Sequence, residues 1–231
     1  MTRDTTMPTS SDSNRLTGAY TSSDADTRLR ATLAAGTDPR PGDLPALIAQ
    51  CRVEPDFFVR DMLTWALTRH PVEDTLPRLL DELHSPVPQA VAQALHTVSK
   101  IGDARAWPHI TDAHLTSDDE ETARTAWRTA AGLAPPGDRA ALADRLTTQL
   151  GRGDRDLRRS LSRALLLLGD AARPALEAHT ADTHRGHHAR ATLVLLDDAD
   201  LSFDAAEYQT AAVRPTTEGH TAVPESNGPA Q

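Results

Sequence analysis

The sequence predicts an all-α fold, and more narrowly a right-handed α-solenoid of about five helical-hairpin repeats. The 231 residues are 39% hydrophobic but only 3% aromatic. A core with so few rings has to be filled by Leu, Ala and Val, which suits closely packed helices better than a sheet. Two short motifs also recur along the chain, and an apolar stripe with helical periodicity recurs with them.

The first recurring motif is the dipeptide Gly-Asp. Glycine is favoured just past the end of a helix because it adopts a positive φ without a Cβ clash. Aspartate is favoured just before a helix because its carboxylate accepts from the free N–H groups of the first turn. Each Gly-Asp is therefore expected to end one helix and begin the next. The motif occurs at 42–43, 102–103, 137–138 and 169–170.

The second recurring motif is a proline at intervals close to the repeat length. Successive members lie 32, 31 and 66 residues apart, and the last gap is two repeat lengths. Proline is tolerated in the first turn of a helix, where its missing N–H has no acceptor within the helix. These prolines are therefore expected to begin the first helix of each hairpin. They are Pro45, Pro77, Pro108 and Pro174.

The second helices of the hairpins share an apolar stripe. It appears when Val59, Ala90, Thr122, Leu157 and Arg185 are aligned as the starting position. Positions four, eight and eleven further along are then mostly apolar, as on one face of an amphipathic helix. Position four is occupied by Leu63, Ala94, Ala126, Leu161 and Ala189. Alanine recurs there, which allows neighbouring helices to approach closely.

Together these signals predict helix pairs at 43–51 with 55–70, 73–84 with 87–101, 105–115 with 119–134, 138–150 with 155–168, and 172–180 with 184–196. A leading helix is expected at 24–35, and a short one is weakly indicated at 203–213. Ser117 to Glu120 fits a capping box, and Asp154 is expected to cap the helix that follows it.

The two ends of the chain are expected to be disordered tails. Residues 1–23 are rich in Ser, Thr and Asp, and they cannot bury enough apolar surface to offset the entropy of ordering. Residues 199–231 are acidic and are expected to be mostly disordered for the same reason. The solenoid is therefore expected to span 24–198.

The segments LRRSLSRALLLLGD (157–170) and AVAQALHTVSKIGD (90–103) resemble the second helix of HEAT-like repeats, including the type named after phycobilisome lyases. The chain is also similar to an uncharacterised group of bacterial HEAT-repeat proteins in EPDFFVRDMLTWALTRHP (54–71) and ALHTVSKIGDARAWPHIT (94–111). The resemblance covers roughly 26–198 and implies an armadillo-like helical solenoid. It does not fix an activity, because such solenoids serve as scaffolds, enzymes and nucleic-acid binders alike.

The resemblance also implies that the second helices line one face of the solenoid, which such proteins often use for binding. Positions two and six of the alignment place an aromatic residue, a histidine and four arginines on this face. The guanidinium groups suit carboxylates, so an acidic segment of another protein is the expected partner. The predicted binding residues are Trp65, His96, Arg124, Arg128, Arg159 and Arg163.

A second interpretation is a solvated face whose arginines pair with local acids such as Asp154 and Asp156. The charge distribution fits both. Residues 124–190 carry a net charge of +5, between segments of −8 and −6. A binding role for the four arginines, called here the arginine stripe, is therefore a hypothesis, and the contacts of each side chain decide between the two interpretations.

The expected function is a non-catalytic interaction or scaffold module. The alternative is a HEAT-type nucleic-acid binder, or an enzyme similar to HEAT-type DNA glycosylases, using the arginine stripe with Trp65 and Asp61. The net charge of −9 opposes nucleic-acid binding, which draws most of its affinity from cationic contacts to phosphate. HEAT-type di-iron hydroxylases need His-Glu dipeptides, and the sequence has none.

No metal or cofactor is expected. His184 and His188 lie four apart, a spacing that can bind a metal, but no carboxylate or cysteine completes the set. Exposed histidines are the expected alternative. Cys51, the single cysteine, lies in an apolar setting and is expected in the core. Without an apolar leader or a run long enough to span a bilayer, a cytoplasmic protein is expected.

Overall fold

The structure is a computed structural model and describes residues 16–198 and 200–212. Helix α1 spans Ala25–Thr37. Five hairpins follow, and their first helices are α2 (Leu44–Cys51), α4 (Val72–Glu82), α6 (Asp112–Leu115), α8 (Arg139–Thr147) and α10 (Arg173–Glu177). Their second helices are α3 (Phe57–Thr68), α5 (Pro88–Ile101), α7 (Glu120–Leu133), α9 (Arg155–Leu168) and α11 (His184–Asp197). The described chain ends with α12 (Phe203–Ala212).

The second helices form a stack in which each contacts the next. Helix α1 packs against α3, and the contacts then run α3–α5, α5–α7, α7–α9 and α9–α11. Because each unit contacts chiefly its neighbours, the architecture is that of a solenoid. The predicted all-α solenoid is confirmed. No helix in residues 16–198 or 200–212 is long and apolar enough to cross a membrane.

The apolar stripe forms the core, as the periodicity predicts. All five side chains at position four of the second helices are buried. One continuous cluster of buried side chains runs from Leu16 to Ala189. Trp127 is fully buried in it, and its indole N–H donates to the Leu115 carbonyl over 2.8 Å. Trp107 is half-buried and donates to the Asp138 carboxylate over 2.9 Å.

Of these four Gly-Asp joints, only one behaves fully as expected. Gly102 ends α5 with φ 71°, and the Asp103 carboxylate accepts from the Arg105 N–H. Gly169 also has a positive φ at the end of α9. At 42–43 and 137–138 the preceding proline starts a 3-10 turn, so Gly and Asp fall inside that turn and the aspartate caps nothing.

Two other local expectations are corrected. Pro45 and Pro174 lie in first turns, but Pro77 lies inside α4 and Pro108 inside a 3-10 turn at Ala104–His109. That turn ends at Ile110, whose backbone is extended. The expected helix at 105–115 is therefore split, and only its end is α-helical. The expected helix at 172–180 shortens to α10 in the same way, after a 3-10 turn at Gly169–Ala172.

Of the two predicted helix caps, one is confirmed and the other lies at a different residue. Asp154 caps α9 by accepting from the Leu157 N–H over 2.9 Å. Before α7 the cap is Asp119, which accepts from the Thr122 N–H over 2.8 Å. The capping box expected at Ser117 is therefore wrong. Asp119 lies next to the first residue of α7, so its carboxylate reaches the free N–H groups there.

The ordered part extends beyond the expected solenoid at both ends. Residues 16–20 are helical, Leu16 is buried, and the Tyr20 hydroxyl lies 3.1 Å from the Thr32 hydroxyl. At the other end α12 buries Phe203. The expected tails are therefore corrected for 16–23 and 200–212, where a few apolar side chains suffice to attach the chain. Residues 1–15, 199 and 213–231 lie outside the described residues.

The cap at Gly102 gives a stability prediction with an internal control. Gly102→Ala is expected to lower the free energy of unfolding by about 1 kcal/mol, because alanine is strained at positive φ. Gly132 lies inside α7 with open space around its missing Cβ. Gly132→Ala is therefore expected to raise stability by roughly 0.4–1 kcal/mol. Urea unfolding of both variants measures the two signs, and equal signs would contradict the assignment.

Candidate functional site

The second helices α3, α5 and α7 line a groove of about 510 Å³. It lies on the face that positions two and six of the alignment identify. The lining residues are Phe57, Arg60 and Asp61 of α3, Gln89, Ala92, Gln93 and His96 of α5, and Asp119, Glu121 and Arg128 at the start of α7 and within it. The groove therefore has an aromatic end and a mixed array of charges.

Two predicted binding residues meet in this groove. An N–H of the Arg128 guanidinium donates to Nδ1 of His96 over 2.7 Å, and Arg128 is otherwise exposed. The pKa of His96 lies below its usual value because burial disfavours the charged ring and the cations of Arg128 and Lys100 add to the effect. A neutral His96 can accept this hydrogen bond, which leaves the charge of Arg128 available to a ligand.

Trp65 is not part of the groove, and this expectation is wrong. Its ring packs against α1, where a Cβ added to Gly36 would collide with Trp65 Cζ3. Helix α1 lies in front of the first hairpin and covers this end of α3. The ring therefore fills the contact between two helices, and Asp61 remains at the groove without it.

The remaining predicted arginines do not continue the groove. Arg124 lies 3.6 Å from the Glu121 carboxylate. Arg159 lies 3.6 Å from Asp156 and 3.3 Å from Asp204 of α12. Arg163 is exposed. The six predicted residues thus separate into a pair in the groove, one residue packed on α1 and three arginines that lie elsewhere on the second helices.

A pair of exposed phenylalanines at the groove mouth was not anticipated. The side chains of Phe57 and Phe58 are 66% and 70% exposed, and their rings meet edge to face at 5.7 Å. The Arg60 guanidinium lies 5.9 Å from the centre of the Phe57 ring. Nearby Val53 is also exposed. The available signal was that two of the three phenylalanines in the chain are adjacent and precede the stripe.

The turn that carries these rings is held by buried polar contacts. The Asp56 carboxylate caps α3 by accepting from the N–H groups of Phe58 and Val59. The Glu54 carboxylate accepts from the Asp56 N–H over 3.0 Å and is itself fully buried. It is paired with Arg28 of α1. The exposed rings are therefore presented on a fixed backbone.

The floor of the groove is also tied together. The Gln89 side-chain amide of α5 donates to the carbonyls of Cys51 and Glu54, over 3.0 and 2.9 Å. The Gln93 amide donates to the Arg60 carbonyl over 3.0 Å. These contacts join α5 to α3 and to the turn before it. The groove is therefore formed by the fold itself rather than by loops.

The histidine pair and the cysteine do not form a reactive site. His188 is buried, its Nδ1 accepts from the Gly151 N–H, and its Nε2 lies within 3.1 Å of Ser162 Oγ and the Arg158 carbonyl. Both ring nitrogens are thus occupied, so His188 cannot share a metal with His184. Cys51 is buried in the core cluster, as predicted, and this burial raises the pKa of its thiol to about 12. Within the described residues, no three His, Cys, Asp or Glu side chains gather in a metal-binding cluster.

Residues 44–131 match the family model of HEAT repeats. Two solved structures are similar to the chain. An engineered protein has 20% identity and a TM-score of 0.44, covering 80% of this chain and 96% of its own. Human deoxyhypusine hydroxylase in complex with glycerol has 14% identity and a TM-score of 0.43, covering 87% and 95%. None of the curated proteins compared with the sequence matches it. The family match confirms the resemblance to HEAT repeats within residues 44–131, a range that includes 54–71 and 90–103.

Proposed function

We propose that this chain, which contains a HEAT-repeat domain, is a non-catalytic interaction module. It binds a segment of another protein along the groove between α3, α5 and α7. The observation that carries the proposal is an exposed ring pair, formed by Phe57, which lines the groove, and its neighbour Phe58. Large apolar side chains that stay exposed on a rigid surface are typical of protein-binding sites.

The energetics of the groove support this function. Aromatic side chains dominate the affinity of protein interfaces because they bury a large area at a low cost in conformational entropy. Here the backbone beneath the rings is fixed by the Asp56 cap and the buried Glu54 carboxylate. Little ordering is therefore needed on binding, which favours affinity.

The polar part of the groove favours a segment with a carboxylate. Arg128 is the exposed cation of the groove, and His96 fixes the orientation of its guanidinium. Asp61, Asp119 and Glu121 line the same groove and would repel a uniformly acidic chain. The proposed partner segment therefore places apolar side chains on the phenylalanines and a single carboxylate on Arg128.

Site-directed crosslinking followed by an affinity measurement tests the proposal. A photoreactive amino acid in place of Phe57 is expected to capture a partner that the same group in place of exposed His109 does not. With that partner purified, Phe57→Ala/Phe58→Ala is expected to weaken binding at least about tenfold. The control Leu167→Ala, which removes another exposed apolar side chain, should leave the affinity unchanged.

Circular dichroism should be the same for both variants, because all three side chains are exposed. Equal capture at both positions, or wild-type affinity of the double variant, would exclude the groove as the binding site. A nucleic-acid function has less support, because Trp65 packs on Gly36 and cannot stack on a base beside Asp61.

A further inference from the structure

Helix α12, with which the described residues end, lies against the second helices at the far end of the solenoid. It packs on α11, where Phe203 and Ala206 are buried. The Phe203 ring meets the His188 ring edge to face at 6.0 Å. Leu166 of α9 packs against the same small cluster. One apolar face of α12 thus rests on both α9 and α11.

The acidic side of α12 pairs with arginines of α9. Asp204 lies 2.9 Å from a nitrogen of Arg155 and 3.3 Å from one of Arg159. Glu207, one turn further on, lies 3.2 Å from Arg155 and 3.5 Å from Arg158. Two carboxylates of α12 therefore contact three guanidinium groups. We call Arg155, Arg158 and Arg159 the arginine cluster.

The arginine cluster holds the same helix positions as the lining of the open groove. Arg155 stands two residues before Leu157, and Arg158 and Arg159 stand one and two residues after it. Phe57, Arg60 and Asp61 stand at the corresponding places around Val59 in α3, and they line the groove. Helix α12 therefore covers at one end of the solenoid the positions that remain open at the other.

The contact surface that holds α12 on the solenoid is small. Its buried side chains belong to a cluster separate from the main core, completed by Ala191 and Leu195. The helix has 10 residues, fewer than an isolated helix needs for stability in water, and its Tyr208 is 76% exposed. Its ion pair between Asp204 and Arg155 is about half exposed on both sides, and such pairs hold weakly.

From this arrangement we infer that α12 is an exchangeable internal ligand of the arginine cluster. An acidic amphipathic helix of another protein binds there in its place. That helix carries apolar side chains where α12 has Phe203 and Ala206, and carboxylates where it has Asp204 and Glu207. Exposed Arg163, one turn beyond Arg159, offers a further contact to a longer helix. The site is separate from the Phe57 groove, so neither proposal depends on the other.

Fluorescence anisotropy with a labelled peptide of residues 200–212 tests the inference on the full chain. In wild type the internal helix competes at high effective concentration, so peptide binding is expected to be weak. Asp204→Arg/Glu207→Arg places cations opposite the arginine cluster and releases the internal helix. This variant is expected to bind the peptide at least about tenfold more tightly than wild type.

A charge exchange supplies the matched control. Adding Arg155→Glu/Arg159→Glu to the released variant restores attraction to its own α12 and removes attraction to the peptide, so peptide binding should be lost. A peptide with Phe203→Ala, or with Asp204→Arg/Glu207→Arg, should bind at least about tenfold more weakly than the original, since one loses its apolar anchor and the other its carboxylates.

Chymotryptic cleavage after Phe203 reports release directly and should be faster in the released variant. If release fails, or if the released chain binds no peptide, α12 is only a terminal cap of the solenoid and the inference is overturned. If the Phe203→Ala peptide bound as tightly as the original, general charge attraction would explain peptide binding, and the inference would be overturned as well. Concentration-dependent dimerisation of wild type through α12 would assign the site to a second copy instead.

Discussion

Replacing Arg28 with alanine is expected to lower the free energy of unfolding by about 3–5 kcal/mol, because Glu54 would remain buried without its cation. Arg28 is 6% exposed and Glu54 is fully buried. Two guanidinium nitrogens of Arg28 donate to the two carboxylate oxygens over 2.9 and 2.7 Å. The pair joins α1 to the turn before α3, so its loss should also disturb the backbone that presents Phe57.

The electrostatics of Glu54 support this magnitude. Burial alone would raise the pKa of the carboxyl, but the hydrogen bonds from Arg28, from the Asp56 N–H and from Gln50 outweigh it and bring the pKa below its usual value. A group with a depressed pKa stabilises the fold above its unfolded-state pKa, and this stabilisation is lost as the pH falls. At pH 7 the ion pair therefore contributes in full.

Urea unfolding at pH 7 measures the loss of stability in Arg28→Ala, and Arg105→Ala serves as the comparison. Arg105 also bridges neighbouring hairpins, through Glu73, but that pair is exposed and screened by solvent, so its loss should change the free energy of unfolding far less than the loss of Arg28. The double variant Arg28→Met/Glu54→Met should recover much of the loss, because it leaves no charge buried alone. Similar losses for Arg28→Ala and Arg105→Ala would show that burial of the pair does not matter.

Helix periodicity made the solenoid predictable, because the contacts that build it repeat locally. The apolar stripe identified the buried face of every second helix, and Gly102 marked a helix end through a backbone preference of its own. Prolines were weaker guides. Pro77 lies inside α4 because packing of the surrounding helix outweighs a local preference.

The residues of the candidate site were predictable only where the helix register alone determines which side chains face the groove. His96 and Arg128 belong to the predicted set, and they do line the groove. Trp65 shares that register, but α1 covers it, and no periodicity shows which helix end a neighbour covers. The pairing of Arg28 with Glu54 spans 26 residues, and that of Arg155 with Glu207 spans 52. Such contacts arise from three-dimensional packing, so the local sequence carries no signal for them.

Acidification is expected to remove roughly 3 kcal/mol of stability through His188 alone between pH 6.5 and 4. The pKa of His188 is lowered to about 4, because burial disfavours the charged ring and the charges of Arg158 and His184 act in the same direction. The hydrogen bond to the Arg158 carbonyl opposes the shift without cancelling it. The folded-state pKa thus lies below the unfolded one. The stabilisation is complete above pH 6.5 and is lost as the pH falls towards 4.

The geometry explains why a second proton is costly. Nδ1 of His188 accepts from the Gly151 N–H over 3.0 Å, so the single proton of the neutral ring is on Nε2, which faces the Arg158 carbonyl and Ser162 Oγ. Protonating Nδ1 would set two donors against each other in a buried space. The charged ring would also lie beneath Phe203 of α12. Acid should therefore loosen α12 together with the α9–α11 contact.

Urea unfolding of wild type and of His188→Asn, measured from pH 7.5 to 4.5, tests this prediction. Comparing the two unfolding free energies separates the contribution of His188 from that of every other titrating group. Asparagine can still accept from the Gly151 N–H but does not titrate. The difference between the two curves should therefore shrink by about 1.4 kcal/mol for each pH unit lost well below 6.5. The control His84→Asn removes an exposed imidazole and reports the effect of a His-to-Asn substitution at the surface. Parallel curves for His188→Asn would mean that the ring accepts its second proton without strain, and the link between acid and release of α12 would then be lost.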